Sequence, residues 1–248
     1  MNNIILGLKF VFSYFSIIPV SFKKDDDLSK KEVLNYTLFF LPFVGFVLSI
    51  ITILVYNLLD SFPILAAIIS SCVYFVLYGF IHTEAILDVV DAIYAKHSGK
   101  DAYKIIKEPT VGAIGVLYST IFVILKIAAF STLLVNHLFF ELIAITIISR
   151  ISIQFTIYFS TFKSSFVNML SRCFRAKTFF ISTFLYVLLI FILTNTPFLI
   201  FVFLGIFFSI LIARFIKKTL GFLNGDALGL ILETLEILLS LMVLYLWL

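Results

Sequence analysis

The chain has two cysteines, five prolines and one tryptophan in 248 residues. Cys72 and Cys173 lie too far apart in sequence to form a disulfide framework or a zinc site, so each is expected to be a small buried apolar residue. Charge is also scarce: Asp, Glu, Lys and Arg make up 13% of the chain, against 62% hydrophobic residues and 31 phenylalanines. A mean hydropathy of +1.17 excludes a water-soluble globular domain, because no fold of this length covers so much apolar surface. The natural solvent is lipid. The apolar runs do not alternate with period two, which excludes a β-barrel, and lipid tolerates no unpaired backbone, which leaves helices. There is no internal repeat and no linker, so residues 1–248 read as one transmembrane domain, an all-α polytopic bundle.

Crossing ~30 Å of hydrocarbon takes about 20 residues. Runs of that order lie at 36–59, 62–83, 111–136, 138–161 and 228–248. Two shorter ones, 178–194 and 197–213, are separated by Asn195-Thr196 and read as a tight helical hairpin. That gives about seven spans. Residues 1–22 are apolar but carry no basic leader or small-x-small cleavage site, and Lys9 interrupts them. They read as a helix lying in the interface or dipping partly into it, ending near Pro19. Every Lys and Arg except Lys9, Lys126 and Arg150 falls in the segments 22–35, 84–110, 163–177 and 214–227. The alternate connections carry none, so the four basic segments are expected on the cytoplasmic side. The three Asp at 25–27, set among lysines, read as a solvated surface turn.

What stands out against this background is the stretch HTEAILDVVDAIYAKHSGK, residues 82–100. If the second helix continues to about residue 94, Glu84, Asp88 and Asp91 fall within about a 60° arc of it, at 100° per residue. All other residues between 85 and 93 are apolar. One reading is an acidic face in water. Another is a set of oxygen ligands for a divalent cation such as Mg²⁺, which is held by a few carboxylates while substrate phosphate completes its shell.

Lys126 and Arg150 lie inside spans, 11 and 13 residues from a turn near His137, hence at a similar depth of about 16–20 Å. Either the acidic stripe reaches them, or a substrate phosphate does, or they are structural or snorkelling cations. Gly112 and Gly115 open the third span and permit close approach, to another helix or to phosphate at exposed N–H groups. In GFLNGDALG, Asp226 is either an N-cap or a further ligand on the same side as the stripe. His82 falls on the opposite face of a continuous helix and reads as packed, while His97 and His137 read as loop residues.

Taken in order, IIPV, HxExxxDxxD, KEPTVGAIGV, an intramembrane Lys126 and Arg150, and NGDALG resemble the cobalamin synthase family, the adenosylcobinamide-GDP ribazoletransferases. The resemblance covers nearly the whole chain. His82, Glu84, Asp88 and Asp91 match the family's H-x-D-x-x-x-D-x-x-D. Glu108 matches the Asp of its D-S-R, Gly112 and Gly115 its two glycines, and Asp226 its G-D. Departures are Glu84 and Glu108 for Asp, Ala85 and Ala92 for Gly, and Pro109-Thr110 for Ser-Arg, which removes a phosphate contact. The resemblance implies an enzyme in the cytoplasmic membrane of a bacterium or archaeon, with its site on the cytoplasmic side. Its implied substrates are adenosylcobinamide-GDP and α-ribazole or its 5′-phosphate. In this picture Glu84, Asp88, Asp91, Glu108 and Asp226 hold Mg²⁺. Asp91 is the candidate base, and Asp88, His82 and Lys126 join it in catalysis. Lys126, Arg150, Gly112 and Gly115 then bind substrate. The bilayer is the constant partner, nucleic acid is not expected, and the oligomeric state stays open, a homo-oligomer included. The competing readings are a CDP-alcohol phosphotransferase, whose aspartate array is absent, and a cation-coupled transporter, whose paired halves are absent.

Overall fold

The computed structural model describes residues 2–59, 61–108, 110–194 and 198–247. Among the described residues, six helices are long and apolar enough to cross a membrane: α3 (Leu41–Leu58), α7 (Ala113–Val135), α8 (Phe139–Phe159), α10 (Ala176–Thr194), α11 (Leu199–Leu220) and α12 (Gly225–Trp247). A bent pair, α4 (Pro63–Leu77) and α5 (Ile81–His97), makes a seventh span when taken together. Shorter helices complete the chain: α1 (Asn3–Phe15), α2 (Lys31–Phe39), α6 (Ala102–Ile105) and α9 (Ser165–Cys173). The all-helical membrane bundle expected from composition is what is found. The expected turn at Asn195-Thr196 lies outside the described residues.

The helices are not equivalent. α8 is 83% buried and α12 72%, whereas α7, α10 and α11 are 22–33% buried and turn broad apolar faces outward. α8 packs against α3, α10, α11 and α12, and α12 also packs against α5 and α7. Every residue from Leu142 to Gln154 is buried. A helix buried all round need not be apolar all round, and α8 carries Thr146, Ser149, Arg150, Ser152 and Gln154 inside the bundle.

Two expected spans are broken. Residues 36–59 divide at Phe40 into α2 and α3, because Pro42 has no N–H to give the Leu38 carbonyl. Lipid would make a free carbonyl costly, and distant side chains fill the gap. Gln154 Nε2 donates to the Leu38 carbonyl at 2.5 Å and Ser182 Oγ to that of Phe39 at 3.0 Å. The second break lies after Leu77, where Gly79 (φ +64°) and Phe80 (φ +56°) both take left-handed conformations. The chain turns by 77° there, so the acidic stripe sits on a separate helix and not on a continuation of α4. The Leu77 carbonyl accepts the Ile17 amide at 2.8 Å, which ties the chain beyond α1 to the break.

α1 ends at Phe15, before Pro19, and its 13 residues reach only about 20 Å. It packs along α2, with Gly7 against Tyr36. Asp26 and Asp27 accept backbone N–H groups within the expected 25–27 turn. Two smaller expectations change: Cys72 is exposed on α4 while Cys173 is buried, and His97 ends α5 instead of lying in a loop.

Candidate functional site

The connections at one end of the bundle carry the lysines and arginines. Contacts across that end hold them together: Lys163 donates its amide to the Leu223 carbonyl at 2.7 Å, and Arg175 pairs with Glu32 at 2.7 Å. α5 and the start of α12 meet at this end, and their closest approach has a simple cause. A Cβ on Gly229 would lie 2.5 Å from the Cβ of Ala85, so only glycine lets the two helices come this near. The approach carries Asp226 to α5. Glu84 is exposed, Asp88 and Asp226 are half-buried, and the charges of Asp226, Glu84 and Asp91 all act on Asp88, which is the centre of the group.

Asp226 is not the N-cap of α12. Asn224 is: its Oδ1 accepts the Ala227 amide at 3.0 Å, while its Nδ2 donates to Asp226 Oδ2 at 2.5 Å. The cap therefore orients Asp226 and leaves its other oxygen free. None of Glu84, Asp88 and Asp226 has a Lys or Arg partner among the described residues.

Asp91 is different. Its Oδ2 accepts the Gly112 amide at 2.7 Å and its Oδ1 the Gly115 amide at 2.9 Å. It thus satisfies two of the free N–H groups at the start of α7, where a carboxylate is also favoured by the helix dipole. A Cβ on Gly115 would sit 2.7 Å from the same carboxylate, which explains the glycine. The N–H groups expected to meet a substrate phosphate are taken by an aspartate of the chain itself. Each oxygen of Asp91 accepts one amide and keeps a second lone pair. Glu108 is exposed ahead of α7 and is not among the charges that act on Asp88.

Lys126 and Arg150 meet neither the stripe nor an open site. Lys126 Nζ lies 2.8 Å from Glu233 and 2.6 Å from Glu236, and Arg150 Nη1 lies 2.6 Å from Glu236. All four side chains are at most 2% exposed. Tyr74 donates to Glu236 at 2.8 Å and Ser149 at 3.1 Å, and the Tyr74 and Tyr78 rings each lie 5.0 Å from the Lys126 ammonium. Two cations and two anions at the same depth neutralise one another, as lipid requires. In this structure Lys126 and Arg150 join α7, α8 and α12 through Glu233 and Glu236. Glu236 was legible as a partner from depth alone, since it lies eleven residues beyond Gly225, or about 16 Å along the axis. Asn224, Tyr74 and Gly229 had no such signal.

His82 is buried, 5.2 Å from the Tyr78 ring and 6.1 Å from that of Phe15, centroid to centroid. It faces away from Glu84, as the helical period predicts. The fit of the acidic group to a hard cation rests on its donors: carboxylate oxygens, half-buried and without a cationic partner. Among the described residues, no three of them converge on one point. That suits Mg²⁺ bound by one or two carboxylates with phosphate and water completing the shell, and does not suit an all-protein cage.

The chain is 28% identical over 251 residues to an adenosylcobinamide-GDP ribazoletransferase of Clostridium perfringens, covering 93% of this chain and 94% of that protein. A protein of the same name from Treponema denticola is 25% identical over 96% of this chain and 95% of its own length. One from Methanosarcina mazei is 36% identical over 48% and 41%. No solved structure matches the chain significantly. The model of the cobalamin-5-phosphate synthase family matches residues 7–244, so the chain belongs to that family of transferases.

Proposed function

We propose that this protein joins adenosylcobinamide-GDP to α-ribazole, or to α-ribazole 5′-phosphate, with release of GMP. The reading rests on family membership, on the names of its relatives, and on one observation: α5 and α12 bring Glu84, Asp88 and Asp226 together, without cationic partners, at the basic end of the bundle. A ribazole hydroxyl attacks the corrinoid-side phosphorus of the diphosphate. The new P–O bond replaces the one to GMP, and GMP departs with the bridging oxygen. One or two of Glu84, Asp88 and Asp226 would hold Mg²⁺, which when bound would neutralise phosphate charge. Asp88, central in the group, accepts the hydroxyl proton, while the two oxygens of Asp91 each already accept an amide. The basic end faces the cytoplasm of the inner membrane, where nucleotide substrates are available.

The test is purified protein in detergent with adenosylcobinamide-GDP, α-ribazole and Mg²⁺. GMP and the joined product are expected, both lost on chelation. No GMP from a folded preparation overturns the reading. Mg²⁺-dependent activity on a lipid nucleotide without this product would favour a CDP-alcohol phosphotransferase, and ion flux in liposomes a transporter.

A further inference from the structure

A cavity of about 120 Å³ lies on the side of α5 away from the stripe. Its walls are apolar and aromatic, with Phe15, Phe166, Ile153 and Val167 among them, and its polar lining includes His82 and Asp226. Tyr14, which stacks on Phe166 at 4.8 Å, closes the α1 side. Tyr14 and Asp226 both line the cavity, and burial first, then the charge of Asp226, raise the Tyr14 phenol above its ordinary value. Asp226 therefore borders both the cavity and the acidic group. Buried polar groups normally have hydrogen-bond partners. His82 is 8% exposed, yet its imidazole makes no hydrogen bond to any other described residue, and it lines this cavity.

We infer that the cavity receives the flat aromatic base of the nucleoside acceptor, with His82 hydrogen-bonding a ring nitrogen. The inference rests on the transfer proposed above and extends it to the acceptor's base. A cavity of roughly 150 Å³ with aliphatic and aromatic walls takes up a benzene-sized ring, so one of about 120 Å³ takes the leading ring of the base and leaves the rest of the nucleoside outside it. Asp226 lines the cavity and its charge also acts on Asp88, so the cavity and the acidic group share one residue. Phe15, Phe166 and Tyr14 give part of a mainly aliphatic wall an aromatic face, and the imidazole of His82 favours a ring with a nitrogen acceptor or donor over one without.

The experiment measures binding of benzimidazole, and of indene, its nitrogen-free analogue, to the full chain in detergent. Wild type should bind benzimidazole about 10-fold more tightly than indene, the worth of one hydrogen bond to a buried polar group. His82→Ala should abolish that preference while still binding indene. Val167→Phe, which fills the cavity, should lose both ligands and raise KM for α-ribazole about 10-fold with KM for adenosylcobinamide-GDP unchanged. Equal affinity for the two ligands in wild type overturns the inference, as does undiminished binding by a Val167→Phe protein that melts at the wild-type temperature. A preparation that releases GMP yet takes up no benzimidazole overturns the cavity assignment alone. One that shows the benzimidazole preference but releases no GMP overturns the transfer alone.

Discussion

The carboxylate of Asp91 accepts the amide of Gly112 at 2.7 Å, and this bond joins the acidic helix to the start of the next span. An aspartate that looks like one of three equal members of a stripe is thereby separated from Glu84 and Asp88. It fixes where α7 begins.

Gly115→Ala should therefore destabilise the protein by about 1–3 kcal/mol, the usual cost of overpacking a close contact. Its Cβ would meet Asp91 at 2.7 Å and the Leu87 carbonyl at 2.8 Å, and the backbone oxygen cannot move aside cheaply. Asp91→Asn keeps an oxygen for one amide but turns an NH₂ toward the other, so a loss of about 1–2 kcal/mol is expected. Thermal unfolding in detergent reads both. Wild-type melting of Asp91→Asn would count against the capping role.

Removing Glu236 should cost more than removing Glu233. Glu236 serves Lys126, Arg150, Tyr74 and Ser149, whereas the paired oxygen of Glu233 serves Lys126. Breaking a buried ion pair by deleting one partner costs about 3–5 kcal/mol. Glu236→Gln should approach that figure and Glu233→Gln should fall below it. Equal melting temperatures for the two variants would contradict the hierarchy.

Gly229→Ala should disturb the site from a distance, because the new methyl group collides with Ala85 and pushes Asp226 away from α5. A fall in activity is expected together with a stability loss of about 1–3 kcal/mol. The double variant Ala85→Gly/Gly229→Ala moves the methyl to the other helix and should recover much of both. Failure of the second change to restore anything would mean that Gly229 matters for some other reason.

If one or two of Glu84, Asp88 and Asp226 hold Mg²⁺ in the field of the others, conservative amides at these positions should weaken metal activation while sparing the fold. Glu84→Gln, Asp88→Asn and Asp226→Asn are each expected to raise the Mg²⁺ concentration needed for half activation. Asp88→Asn should also lower the maximal rate by about 100-fold or more as the base is lost. Glu108→Gln should change neither, since its side chain stands apart in solvent. Full activity of Asp88→Asn would move the chemistry elsewhere.

Much of the fold was readable along the chain because its cause is local. Apolar length decides that a segment enters lipid, and helical period decides that Glu84, Asp88 and Asp91 share a face. Both properties belong to a few consecutive turns, and basic residues outside the spans mark one end of the bundle. The breaks at Phe40 and Gly79-Phe80 were less legible, although Pro42 and Gly79 stood in plain view. A break in lipid survives only if its freed carbonyls find donors, and those donors are Gln154, Ser182 and Ile17, two of them more than a hundred positions away. Tertiary structure alone decided the fate of each charge. A carboxylate's role depends on which cation or amide reaches it. The distances distinguish Asp91, which accepts two amides, from Asp88, and they pair Lys126 and Arg150 with Glu233 and Glu236.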